Sequence, residues 1–173
     1  MESLFTATPR PPPVQKITTF LWFDTQAEAA ARHYVSIFKN SKIDSISHYP
    51  ADPTPTGLPS GSVMTVAFHL EGQEFVALNG GPMFQFTEAI SLVVNCRTQA
   101  EIDKYWEKLS KGGEKSQCGW LKDKFGLSWQ IVPRQALKFF QDKDPEKARR
   151  TFAAMMKMSK LDLAALQKAH AGR

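Results

Sequence analysis

The sequence predicts an α+β fold: two β-α-β-β-β modules whose paired mixed sheets surround a cup, followed by a C-terminal helical tail. Three observations predict it. The tetrapeptide Thr25-Gln26-Ala27-Glu28 returns as Thr98-Gln99-Ala100-Glu101, each time between a short β-branched or aromatic run and a longer amphipathic one. A hairpin pattern closes each copy, about Glu71-Gly72 in the first and about Gly126 in the second. Beyond Pro133 the periodicity is helical throughout. A four-stranded sheet with one helix on its back leaves its other face bare, so two such sheets are expected to meet.

The first residues, Met1 to Val14, lack a basic start and a continuous apolar run, and they end in three prolines. They read as a disordered tail (1–15) and not as a signal peptide. The first module (16–82) opens with Ile17 to Phe23, too short and too β-branched for a helix. The Thr25 box starts a helix to about Phe38, with Ala27, Ala30, Ala31, Tyr34, Val35 and Phe38 on one face. Lys42 to Tyr49 is a second strand, and Pro50 to Ser60 is a loop long enough to act as a lid. Ser62 to Glu71 and Gln73 to Asn79 form the hairpin, and Gly80-Gly81-Pro82 breaks the chain.

The second module (86–133) repeats the order. Ala89 to Val94 is a strand, the Thr98 box opens a helix carrying Ile102, Tyr105, Trp106 and Leu109, and Gly112-Gly113 ends it. A short strand near Lys115 to Gln117 precedes the hairpin from Cys118 to Pro133. Residues 134–173 extend the domain with a segment over Arg134 to Gln141 and a helix capped by Asp144-Pro145. That helix has the stripe Ala148, Phe152, Met155 and Met156, and a last one opens at the box Ser159-Lys160-Leu161-Asp162. The stripe needs a cover, either the chain's own sheets or a second subunit.

A chain of 173 residues buries roughly 70% of its unfolded surface in one core. Cys96 and Cys118 lack disulfide or zinc spacing, and no segment is long and apolar enough for a bilayer, so a soluble, cytoplasmic protein is expected. The net charge of +5 is uneven: residues 134–173 hold ten Lys/Arg against four Asp/Glu, and the rest twelve against thirteen. Because those cations alternate with apolar residues at helical spacing, they read as a solvated helix face, and nucleic acid is not an expected partner.

Gly119 to Pro133, together with Phe20-Leu21-Trp22-Phe23, Ala77-Leu78-Asn79-Gly80-Gly81-Pro82, Glu88-Ala89-Ile90-Ser91 and Asp144-Pro145-Glu146-Lys147-Ala148 with Met155 to Met158, resembles the PhnB-like, demethylubiquinone-methyltransferase-like branch of the vicinal-oxygen-chelate superfamily, which includes glyoxalases, bleomycin-resistance proteins and dioxygenases. The resemblance runs from Ile17 to Gly172 and implies the same double-module cup. The methyltransferase name implies little, since no Gly-rich loop followed by a helix is present to hold S-adenosylmethionine. Enzymes of the superfamily place four metal ligands on the first and last strands of the two modules. By strand position these correspond to Thr18, Ala77 or Asn79, Ala89, and Gln130. None is His, Asp or Glu, so no metal and no other cofactor is expected.

If Thr18 points into the cup, so do Phe20 and Trp22. Phe75, Ala77 and Asn79, then Ala89, Ser91 and Val93, then Ser128, Gln130 and Val132 complete the walls. The candidate ligand-binding residues are Thr18, Phe20, Trp22, Asn79, Ser91 and Gln130, which suit a flat organic ligand stacked on the aromatic pair, unless these side chains simply fill a small barrel. No residue pattern assigns a catalytic step. The expected protein binds a small organic molecule in a metal-free cup, as a homodimer through its sheets or tail. The alternatives are a divalent-metal-dependent lyase, isomerase or dioxygenase using atypical ligands such as Glu88 and Gln130, and an interaction module acting through the basic C-terminal helices.

Overall fold

A computed structural model describes residues 15–50 and 57–173. The Pro-rich start and the centre of the expected lid loop lie outside the described residues. The first module contains β1 (Thr19–Phe23), α1 (Ala27–Ile37), β2 (Lys42–His48), β3 (Val63–Leu70) and β4 (Gln73–Asn79). The second contains β5 (Leu92–Cys96), α2 (Gln99–Ser110), β6 (Glu114–Lys115), β7 (Trp120–Lys122) and β8 (Ser128–Pro133). Three helices follow: α3 (Ala136–Phe140), α4 (Pro145–Met155) and α5 (Leu163–Ala171). The strands form two four-stranded mixed sheets of matching order, β1-β4-β3-β2 and β5-β8-β7-β6, in which β1 runs parallel to β4 and β5 parallel to β8.

Alternation assigns each sheet a helical side and an open side. In the first sheet Leu21 and Phe23 are buried beside Ala77 and Asn79, their register partners, while Phe20 and Trp22 lie beside Val76 and Leu78 on the open side. α1 approaches the helical side closely because it presents Ala27, Ala30 and Ala31 there, all fully buried. In the second sheet Trp129 and Ile131 face α2, and Ser128, Gln130 and Val93 share the open side.

The two modules meet through their helical sides. Trp129 of β8 packs against Tyr34 of α1 and Phe38 at the C-cap of α1 with ring centroids 5.4 and 5.6 Å apart, and Phe38 stacks on Tyr105 of α2 at 5.0 Å. Asp123 ties this junction together from the β7–β8 turn, although it is only 3% exposed. Its Oδ2 accepts from the Tyr34 hydroxyl at 2.7 Å and from Trp129 Nε1 at 2.8 Å, and its Oδ1 accepts from the backbone N–H of Phe125 and Leu127. Burial first, and then the Asp123 carboxylate, push the Tyr34 phenol well above its usual pKa, so Tyr34 remains a donor.

Beside this junction His33 Nε2 is buried without a hydrogen bond among the described residues. Burial, and then nearby Lys124, hold its imidazole below the ordinary histidine value against a smaller opposing pull from Asp123. The unfolded chain therefore takes up this proton at a higher pH than the folded one, and stability falls as pH drops below about 6.5 and on through the depressed folded value. Denaturation midpoints measured at pH 7.5 and 5.5 should separate less in His33→Gln than in the parent chain.

Several local expectations are corrected. The Thr98 box forms: Thr98 Oγ1 accepts from Glu101 N at 3.2 Å. The Thr25 box does not, because α1 begins after Gln26 and its Ala27 N–H is taken at 2.7 Å by Asn79 Oδ1 from β4. Asp162, not Ser159, caps α5, and Ser159 donates to Ser116 O instead. β5 starts at Leu92, later than expected, because residues 88–90 form a turn. On α4 the fully buried residue is Thr151, whereas Phe152 and the C-cap residue Met156 are about half exposed. Asp144 does cap α4 ahead of Pro145, accepting from Glu146 N at 2.9 Å.

Candidate functional site

The candidate site is divided between the two open faces. On the first, β1 contributes Phe20, 57% exposed, and half-buried Trp22. Trp22 is already fixed: its Nε1 donates to Gly81 O at 2.9 Å, its ring meets the edge of Phe84, and it lies so close to Gly80 that a Cβ there would come within 2.2 Å of ring carbon. The glycine pair after β4 therefore makes room for an indole. It leads into a turn and then a strand, and offers no phosphate-type cradle at a helix start. Thr18 precedes β1 and is half-buried.

Asn79 does not join Phe20 and Trp22. It lies on the helical side, 5% exposed, where its Oδ1 accepts from Ala27 N and its Nδ2 donates to Val63 O at 3.0 Å. Phe75 and Ala77 turn the same way, so β4 lends the open face Val76 and Leu78 in their place. At the far end of that face β2 bulges between Ile43 and Ser45, and Asp44 meets His69 Nδ1 while His69 Nε2 lies 3.4 Å from Glu74. Each imidazole nitrogen faces a separate carboxylate; desolvation pushes the Asp44 pKa up, but the bonds from Lys42, at 2.9 Å, and then His69 together outweigh it and leave it lowered.

The second open face is more polar. Gln130 Nε2 donates to Ser91 Oγ at 2.9 Å, so these two candidates do come together. Gln130 also sits opposite Trp120 of β7, and Ser128 opposite Lys122. Lys122 Nζ reaches Glu88 at 2.6 Å; the pairing lowers the Glu88 pKa and raises that of Lys122. A cavity of about 350 Å³ lies over Trp120, Lys122 and Ser128. A larger groove of about 720 Å³ runs along the β5 edge at the module junction; of the six candidate residues only Ser91 touches it.

Among the described residues no three His, Cys, Asp or Glu side chains converge on a point where a metal would sit. The four strand positions do not fit one either. Ala77 and Asn79 face away, Ala89 lies in a turn before β5, and Gln130, with an amide, occupies the open face. A hydroxyl and an amide are weak donors for a transition metal, so no step through a metal follows from this set.

The tail supplies a separate basic groove of about 540 Å³ lined by Arg149, Arg150, Lys157 and Arg173. Part of that charge serves the packing of the tail itself. Arg150 donates to the C-terminal carbonyls Ala169 O and His170 O of α5, and Arg149 pairs with Glu146 at 2.8 Å.

The model of the family described as 3-demethylubiquinone-9 3-methyltransferase matches residues 15–132, from just before β1 into β8. The chain belongs to this family. Among solved structures, the PhnB protein from Bacillus cereus is 41% identical over 69% of this chain and 99% of its own, with a TM-score of 0.62. A protein from Pseudomonas aeruginosa shares the fold at 16% identity and a TM-score of 0.57, over 69% of this chain and 97% of its own. A glyoxylase/bleomycin resistance protein/dioxygenase domain from Frankia sp. is matched at 12% identity and a TM-score of 0.39, over 68% of this chain and 90% of its own. No curated protein matches. The helices α3, α4 and α5 lie beyond the residues that define the PhnB-like module pair.

Two residues of consequence escape the sequence reading. In sequence Asp123 is a turn residue between two lysines, and nothing nearby announces its partners Tyr34 and Trp129. Lys122 could have been placed on the open face by extending the alternation of Ser128 and Gln130 across the hairpin.

Proposed function

We propose that this PhnB-like protein binds a small organic molecule in a cup closed by a second copy of the chain. One observation carries the reading: each sheet presents an open side with bare apolar side chains, Phe20 on the first and Val93, 49% exposed, on the second. Both stand on edge strands, β1 and β5, whose outer backbone groups have no strand partner among the described residues. Exposed apolar edges invite pairing. A two-fold axis that sets β1 of one copy beside β5 of its partner produces two equal cups, each with one wall from either copy. Trp22 and the Ser91–Gln130 pair then line the same cavity from opposite sides, and Asn79 stays in its structural role. The arrangement supports binding without assigning a bond that is made or broken, and cytosolic residence with reduced thiols is part of the same reading.

Light scattering on the purified full chain should report two protomers. Phe20→Lys with Val93→Lys should give monomers of near-native circular dichroism, since both side chains are outside the core. A parent chain that is monomeric at micromolar concentration, or a dimer indifferent to both lysines, would sink the proposal. A fragment screen followed by amide NMR should move resonances of Trp22 and Gln130 together in the dimer.

A further inference from the structure

The open face of the second sheet holds a polar group with no partner among the described residues. Ser128 is fully buried, and its Oγ makes no hydrogen bond there. A buried hydroxyl left this way is destabilising, which is a reason to look for what would satisfy it. It forms part of the wall of the 350 Å³ cavity, directly across the strand pair from Lys122. The cation is the better-buried member of its ion pair: the Lys122 side chain is 32% exposed, and that of Glu88, on a turn before β5, is 62% exposed. Glu88 is thus the displaceable counter-ion of a charge anchored on a strand. Trp120 adds an indole on the same face, and Glu114, the register partner of Lys122, stands at the rim beside Lys115.

Resting on the reading of the cup as a small-molecule site, we infer that its ligand is a monoanionic amphipathic acid: the carboxylate replaces Glu88 on Lys122 and accepts from Ser128 Oγ, and the apolar body lies on Trp120. The ligand oxygen satisfies the hydroxyl that the fold leaves unpartnered, and Lys122 exchanges one carboxylate for another while Glu88, 62% exposed, turns out to solvent. Glu114 makes the rim unfavourable for a second negative charge, so a dicarboxylate binds less well than a monocarboxylate of the same size.

Phenylacetate, phenethylamine and 2-phenylethanol, titrated separately into the full chain and followed by amide NMR and calorimetry, test this directly. Phenylacetate should bind with shifts at Trp120 and Ser128, and the other two at least about tenfold more weakly, as expected for loss of one charge-assisted contact. Lys122→Met should weaken phenylacetate by about tenfold and Ser128→Ala by a smaller factor, while Glu88→Gln, which removes the competing anion, should strengthen it several-fold. Ser128→Ala should also raise the melting temperature of the ligand-free protein, an outcome that a serine holding a structural hydrogen bond would not give. Equal or tighter binding of the amine or the alcohol, or phenylacetate binding unchanged by Lys122→Met, overturns the ligand class and leaves the small-molecule reading standing. Failure of all three probes to bind also overturns the ligand class, and the small-molecule reading is then decided by the fragment screen on Trp22 and Gln130.

Discussion

Asp123→Ala should cost about 4 kcal/mol of folding free energy, the range expected when one partner of a buried charged network is removed. The substitution leaves the Tyr34 hydroxyl, the Trp129 indole N–H and the backbone N–H groups of Phe125 and Leu127 without their acceptor, at a site closed to water. Each stranded donor carries a desolvation penalty of about 1–3 kcal/mol, and partial relaxation recovers some of it. Against a typical total of about 5–15 kcal/mol, that is roughly a quarter to most of the stability of the chain. Asp123→Asn should fall between it and the parent: the amide oxygen still serves two donors, but its NH₂ faces the Trp129 N–H, which has nothing to offer but a proton. Urea titrations read by circular dichroism decide the matter; an Asp123→Ala midpoint within error of the parent's would contradict the account.

Gly113→Ala should be nearly as damaging for a different reason. A Cβ at this position would sit 2.2 Å from Lys122 O and 2.6 Å from the Asp123 carbonyl carbon, both backbone atoms of the strand end that carries the junction. No side-chain rotation relieves such a contact, so the α2–β6 connection must pull away from β7. A cost of about 3 kcal/mol is expected, at the upper end for overpacking, which for a chain of this size lowers the melting temperature by about 10 °C. The neighbouring Gly112 provides the comparison. It has φ of +78°, and a Cβ there first meets Lys124 Cβ at 3.4 Å, so Gly112→Ala should show only the milder penalty of a left-handed alanine, about 1 kcal/mol. Equal melting temperatures for the two variants would show that the contact at Gly113 is not limiting.

The repeat is legible in the sequence because hydrophobic period and turn chemistry are local properties. Thr98 and Glu101 meet within one helical turn, Thr98 Oγ1 accepting from Glu101 N and the Glu101 carboxylate from the N–H of Arg97, one residue before the cap, so sequence alone can propose the motif. Thr25 shows the limit. The same four residues are present, but α1 begins after Gln26, and the N–H of its first residue, Ala27, is capped by Asn79, 52 positions away, so a tertiary contact serves the helix start where a local box was expected. The same asparagine explains the error in the first wall. Phe75 to Leu78 is apolar at every position, so the strand has no alternation from which to read its faces, and the single amide at its end resembles a ligand group. In β8 the faces are readable because Trp129 and Ile131 alternate with Ser128 and Gln130, and there the Ser91–Gln130 pairing follows.

The location of the modules' mutual contact has a bearing on how this chain can change over generations. Stability is concentrated in Tyr34, Phe38, Asp123 and Trp129, on the helical sides, whereas the open faces carry side chains such as Phe20 and Val93 that contribute little to the interior. Substitutions on the open faces can therefore accumulate without bringing the fold close to its stability threshold. If the open faces are the ligand walls proposed above, selection for a new ligand and selection for a folded chain act on largely separate residues, with buried Ser128 and packed Trp22 the exceptions, and specificity can drift while the interior stays fixed.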